Sequence, residues 1–182
     1  MFEVKITDDM RSKAHHQAER LGVLKGSITK GKGNVFGFLG EQIALLIIGG
    51  KPVNTFDYDL IIPNPPVGKL KIDVKTKRTT VKPLPHYECS VADITRKQDC
   101  DYFAFIRVLD DQTKGWFLGM KKRNDYFDEA TYLQKGDKDP SNNFIVRANC
   151  YNMAISALAP PFYPLYFING SWTKNATNRE KL

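Results

Sequence analysis

Apolar residues recur at three- and four-residue intervals near the start of the chain. Met10, Ala14, Ala18 and Leu21 share one face, which predicts an amphipathic helix over 8–21, capped by Thr7 or Asp8 and ended by Gly22. His15 and His16 fall mostly on its polar side. Further on, Val35, Phe36, Phe38, Leu39, Ile43, Leu45, Leu46, Ile47 and Ile48 surround most of a cylinder. A helix over 35–48, capped by Asn34, should therefore be largely buried. Glu41 is the one charge within it. It is either a first-turn residue favoured by the helix dipole or a buried carboxylate that needs a partner. Gly37 and Gly40, one turn apart, would admit another backbone close beside it.

After Gly49-Gly50 the period changes from 3.6 to 2. The stretch 56–78, FDYDLIIPNPPVGKLKIDVKTKR, reads as two apolar strands joined by a Pro/Gly loop. Over 69–77, alternation puts Leu70, Ile72 and Val74 on one face and Lys71, Asp73, Lys75 and Lys77 on the other. Asp73 and Lys75 thus project the same way, about 6–7 Å apart along the strand. Asp59, on the preceding strand, reaches the same surface if the two strands pair. Asp57 shares its face, but Asp59 leads directly into the apolar run. Alone, the charged face of 69–77 is equally the solvated side of a half-buried strand, with ion pairs worth under about 1 kcal/mol.

The remaining pattern predicts strands over 87–91, 102–109, 115–120 and 144–147, and a helix or turn over 92–99. Helices are expected over 124–134, ending at Gly136, and over 151–158. A C-terminal aromatic patch of Phe162, Tyr163, Tyr166, Phe167 and Trp172 is expected in the core. At 182 residues with 42% hydrophobic content, the chain suits a single domain.

A net charge of +7 and an isoelectric point near 9.2 favour an anionic partner, nucleic acid being the commonest. No apolar run approaches the roughly 20 residues of a membrane span, and the first residues lack the pattern of a signal peptide. We therefore expect a soluble, cytoplasmic protein with no membrane association. Cys89, Cys100 and Cys150 form no CxxC pair, which argues against a disulfide framework or a zinc ribbon. His86-x-x-Cys89 is at most half a zinc site. The run 26–33, GSITKGKG, nearly spells a phosphate loop, but Gly33 stands where a Ser or Thr should bind magnesium and no strand precedes it. Lys30 and Lys32 are either contacts for a nucleic-acid backbone or part of a surface loop. Lys121-Lys122-Arg123 is similarly either a phosphate-contacting patch or a soluble turn.

The order of these pieces resembles the PD-(D/E)XK nuclease superfamily, in wording closest to phage-type members. The matched pieces are Gly40-Glu41 in the first core helix, Tyr58-Asp59-Leu60-Ile61-Ile62, and Ile72-Asp73-Val74-Lys75. Tyr58 stands where the superfamily has its proline, and Asp73 where Glu is commoner. The resemblance covers about 31–109 and implies an α/β fold with a restriction-endonuclease-like αβββαβ core, a mixed central sheet flanked by helices. Residues 110–182 would elaborate it. The implied activity is Mg²⁺-dependent hydrolysis of DNA, with Mn²⁺ able to substitute. Asp59 and Asp73 would hold the metal with the Val74 carbonyl. Glu41 would complete a second site or hold a metal-bound water, and Lys75 would stabilise the transition state. Lys30, Lys32, Lys77, Lys121, Lys122 and Arg123 would contact the nucleic acid. An endonuclease is expected, and paired nicks would suit a homodimer. An exonuclease and a non-catalytic nucleic-acid-binding protein of the same fold are the alternatives. The geometric expectation is that Glu41, Asp59, Asp73 and Lys75 converge on one polar pocket.

Overall fold

A computed structural model of the chain describes residues 1–21, 34–53, 55–64, 68–161, 165–168 and 171–174. Strand β1 (Phe2–Lys5) precedes helices α1 (Asp8–Leu21) and α2 (Asn34–Ile48). Three strands follow, β2 (Lys51–Pro52), β3 (Leu60–Asn64) and β4 (Gly68–Thr79). Next come β5 (Glu88–Ala92), a 3-10 turn (Asp93–Lys97), β6 (Tyr102–Leu109), β7 (Lys114–Lys122) and helix α3 (Arg123–Glu129). The chain continues with β8 (Thr131–Leu133), β9 (Cys150–Ala154), a second 3-10 turn (Ile155–Ala157) and the paired strands β10 (Leu165–Ile168) and β11 (Ser171–Lys174).

The central sheet has the order β1-β7-β6-β4-β3-β2. Its pairs are antiparallel except β4 with β6, which run parallel. The molecule is thus the mixed α/β type that the switch of period predicts. Strand β6, YFAFIRVL, is apolar except for Arg107 because both faces of the sheet are covered. Ala104, Ile106 and Val108 enter a core shared with Leu39, Ile43 and Ala44 of α2 and Ala14 of α1. Phe103 and Phe105 enter a second core with Val91 of β5, Tyr126 of α3 and Tyr151 and Met153 of β9. Strands β5-β9-β8 form a small sheet over that second face. The Tyr126 hydroxyl ties the layer together, reaching the carbonyls of Cys89 at 2.9 Å and Tyr151 at 2.7 Å.

Two features of this packing place the site. Helix α2 lies against β4 at Gly40, where a Cβ would collide with the Thr76 side chain, whereas Gly37 faces open space. Of the two expected close approaches, only Gly40 makes one. Strand β3, in turn, pairs with β4 only from Asn64↔Gly68 to Leu60↔Ile72. Beyond Ile72, β4 has β6 on one side and no strand partner on the other among the described residues.

Several expected elements differ. The strand expected to carry Asp59 starts only at Leu60, so Asp59 immediately precedes it. The Thr55 hydroxyl holds 55–58 in a turn by donating to the Tyr58 carbonyl at 2.6 Å and accepting from its N–H at 3.1 Å. Helix α3 stops at Glu129, and Thr131–Leu133 pairs with β9 instead of continuing it. The stretch expected as a helix over 151–158 is β9 and a 3-10 turn, because Tyr151–Met153 sits between two partner strands. Residues 144–147 make a single bridge, Lys138↔Ile145, and no strand. The crossover from β4 to β6 carries β5 and a 3-10 turn where the αβββαβ order has an α-helix. Leu46 is exposed, so α2 is not covered on every side. Strand β1, paired with β7, was not expected at all. The aromatic patch has Phe162 and Tyr163 outside the described residues. Among the described residues, no helix is long and apolar enough to cross a membrane.

Candidate active site

The open edge of β4 gathers the charged residues. In an extended strand the N–H and C=O of one residue point to the same side. The Ile72 carbonyl accepts from the Asp59 N–H at 2.9 Å, and the Val74 N–H donates to Asp59 Oδ2 at 2.7 Å. Ile72 and Val74 therefore present their backbone toward β3. Since β3 has ended there, the Val74 carbonyl turns into open space, and Val74 lines a cleft. The Asp59 carboxylate, at the end of β3, caps this edge.

Asp73 and Lys75 project from the opposite face, beneath the small sheet. Asp73 is only 4% exposed. Its Oδ2 lies 2.6 Å from Lys75 Nζ, a charge contact that lacks hydrogen-bond geometry and leaves that oxygen without a hydrogen bond. The solvated-face alternative therefore does not describe this strand. Lys75 Nζ also donates to Gln98 Oε1 at 3.2 Å and sits 5.6 Å above the Phe103 ring. Gln98 is fixed in turn by donating its Nε2 to the Phe56 carbonyl at 2.6 Å. Asp57 looks elsewhere, toward the Asp99 N–H.

Glu41 reaches the same region from α2. Burial, followed by the charges of Asp59 and Asp73, pushes its pKa up to about 8. Burial and the neighbouring Asp73 push Asp59 up to about 7, against the Val74 N–H and Lys75, which favour its charged form. Glu41, Asp59, Asp73 and Lys75 thus occupy one electrostatic neighbourhood. Among the described residues, however, no three His, Cys, Asp or Glu side chains cluster closely enough to hold an ion together. Glu41 acts on the two aspartates at a distance.

The cleft has a volume of about 1200 Å³ and runs from Glu41 and Asp59 past Val74, Lys75 and Gln98 to Lys77, Glu88 and Arg107. Lys30 and Lys32 lie outside the described residues. Lys121, Lys122 and Arg123 are not among the residues that line the cleft. Lys121 is paired with Glu129 at 2.7 Å, while Arg123 donates to Asn124 Oδ1 and the Arg96 carbonyl over the Phe127 ring. Lys122 is the exposed cation of that run. His86 packs edge-on against Tyr87, and burial pushes the Cys89 thiol up to about 12, which removes it as a nucleophile.

Two residues of the cleft escaped sequence reasoning. Gln98 carried no signal, since its role depends on a contact with Lys75. Arg107 did carry one: it is a charge inside the apolar run YFAFIRVL, the same anomaly that singled out Glu41. No protein-family model matches the chain, and no curated protein matches it.

Proposed function

We propose that the protein is a metal-dependent nuclease of the PD-(D/E)XK type that hydrolyses phosphodiester bonds of DNA. One observation carries the reading. Asp59 and Asp73 meet in a poorly hydrated corner beside the Val74 carbonyl and Lys75, where β4 runs on past the end of β3. The antiparallel run β2-β3-β4 after α2, and the return of the chain to β6 parallel to β4, support it further.

The donor set fits a hard divalent cation. It consists of oxygens only, two carboxylates and a carbonyl, and the buried Asp73 Oδ2 has unused acceptor capacity. Asp59, Asp73 and the Val74 carbonyl would hold Mg²⁺ or Mn²⁺, and Glu41 would act through a water. When bound, such an ion lowers the pKa of water and offsets charge on a phosphoryl group. The chain's own residues do the rest. The Val74 N–H fixes the Asp59 carboxylate, and Gln98 and Asp73 aim the Lys75 ammonium at the cleft. Lys75 then faces the charge that develops on the phosphoryl oxygens, and the walls of the cleft keep that interaction from being screened.

Cleavage of plasmid and of single-stranded, duplex and branched oligonucleotides, with and without Mg²⁺ or Mn²⁺, tests this directly, with RNA run beside DNA. Activity should require the metal. Lys75→Ala should lower it about 10²–10³-fold, and Asp73→Ala should lower it further. Cleavage that survives both substitutions, or is absent from the native protein on every substrate, refutes catalysis. Tight binding without cleavage would favour the non-catalytic alternative. Double-strand breaks from paired nicks would support a homodimer.

A further inference from the structure

At the end of the cleft away from Glu41, two cations lie side by side. Lys77 on β4 and Arg107 on β6 are register partners on adjacent parallel strands, and both line the cleft. Arg107 is only 8% exposed. Like charges at facing positions of a sheet repel. Burial and then Arg107 lower the pKa of Lys77, and burial lowers that of Arg107. Among the described residues neither side chain forms a salt bridge. Arg107 is oriented by one bond from Nη2 to the Glu88 carbonyl at 2.9 Å and by the Tyr87 ring, 5.5 Å away. A guanidinium has five N–H donors, so most of this group's capacity is not used by that bond.

The acids nearby act on Lys77 only at a distance, because their hydrogen bonds are taken by other donors. Asn152 Nδ2 donates to Glu88 Oε2 at 3.0 Å and to Asp139 Oδ2 at 3.1 Å. Asp139 also accepts from the Ser141 N–H at 2.9 Å, the Ser141 hydroxyl at 2.8 Å and Asn142 Nδ2 at 3.1 Å. Burial pushes Glu88 up. Burial acts upward on Asp139 too, but Ser141, Glu88 and Asn142 together hold it below the usual carboxylate range. Arg107 is thus buried without an ion-pair partner among the described residues. Burying a charge in that way is costly, and a bound anion would offset that cost.

We propose that Lys77 and Arg107 form a phosphate subsite that takes a non-reacting phosphate of a nucleic-acid strand, about 6–7 Å along β4 from Lys75. That the strand is a substrate rests on the nuclease reading; the affinity for phosphate does not. A planar guanidinium beside an ammonium matches the oxygens of such a group. The same chemistry accepts an internal phosphodiester or a terminal phosphomonoester.

Fluorescence anisotropy of short labelled single strands, measured in EDTA over a salt series, tests the subsite without requiring cleavage. Lys77→Gln removes the charge and keeps most of the side chain, and its melting curve checks that it is folded. It should weaken binding about tenfold and reduce the slope of log K against log salt by about 0.7. Arg107→Lys, which keeps the charge and loses the fork, should weaken binding less. Strands with a 5′-phosphate, a 3′-phosphate or hydroxyls at both ends separate the sources. An equal loss on all three assigns an internal phosphate, and a loss confined to one phosphorylated end assigns that end. Unchanged affinity and slope for Lys77→Gln on every strand overturns the subsite. Binding that depends on Lys77 in a protein that never cleaves would sink the nuclease reading and keep the subsite. Cleavage insensitive to Lys77 and Arg107 would do the reverse.

Discussion

Glu88 and Asp139, beside the small sheet, and Asp59 and Asp73, at the open edge of β4, are both pairs of carboxyls brought together away from water, yet the chain surrounds them differently. Around the first pair it places donors: the Asn152 amide bridges both acids, and Ser141 and Asn142 complete Asp139. Around the second it places few. Asp59 has the Val74 N–H, and Asp73 Oδ2 has the charge of Lys75 and no hydrogen bond. An unsatisfied buried acceptor costs about 1–3 kcal/mol. A chain that supplies donors so fully at one acid pair and so sparsely at the other leaves the second to be completed by something else. In the first pair Asp139 closes a turn onto Ser141 and Asn142; in the second Asp59 lines the cleft with an acceptor beside it left unused.

The largest expected effect tests this difference through pH. Asp59 and Glu41 titrate near 7 and 8 in the folded protein, against 3.8 and 4.5 for the free side chains. Between about pH 4 and 8 the folded state therefore holds protons that the unfolded state has released, so stability falls as pH rises through that window. In EDTA the loss should be on the order of a few kcal/mol, a drop in Tm of roughly 5–15 °C between pH 5 and 8.5. Mg²⁺ should recover much of it at pH 8 and little at pH 5, where protons already neutralise the acids. Asp59→Asn should flatten the slope and abolish the metal response. Asp139 has the opposite sign: its pKa is lowered, so its contribution is present above the usual carboxylate pKa and is lost in acid. A Tm in EDTA that is level from pH 5 to 8.5 would remove the distinction between the two pairs.

A smaller effect is expected at the closed pair. Asn152→Leu keeps the volume and deletes the donor shared by Glu88 and Asp139. It should cost about 2–3 kcal/mol, lowering Tm by roughly 4–12 °C. The Mg²⁺-dependent rise in Tm should be unchanged, because nothing at the edge of β4 depends on that amide. A lost metal response in Asn152→Leu would mean that the two pairs are coupled through the cleft and are not independent.

The contrast also explains what the sequence could reveal. The apolar periodicity of α2 and the alternation of β4 are local, so the positions of Glu41, Asp73 and Lys75 were legible from spacing. That the Asp73 face is covered was not, because the cover comes from β5, β8 and β9, strands paired across as many as 66 residues, Glu88 with Ala154. The stretch 151–158 has an apolar pattern that suits either a helix or a strand, and pairing on both sides of β9 decided it. The basic run 121–123 stayed open between a phosphate-contacting patch and a soluble turn, since spacing does not disclose the Glu129 carboxylate or the Arg96 carbonyl that occupy Lys121 and Arg123. Arg107 was legible by the reasoning applied to Glu41.

Gln98 gives the smallest effect and the finest test. Like Asn152 it is an amide that bridges two groups, but the groups are the Lys75 ammonium and the Phe56 carbonyl instead of two acids. Its loss leaves no buried acid short of a donor, and Lys75 keeps its 2.6 Å contact with Asp73. Gln98→Leu should therefore lower Tm by no more than about 4 °C, the effect of a net hydrogen bond of about 1 kcal/mol. If Lys75 acts on the reacting phosphate, a lysine held less firmly should lower kcat up to about tenfold and leave KM unchanged, since Gln98 serves to position it. Gln98→Glu should retain more activity than Gln98→Leu, because a carboxylate still accepts from Lys75. If Gln98→Leu instead costs as much stability as Asn152→Leu and leaves kcat alone, both amides are structural, and the edge of β4 is as closed as the small sheet.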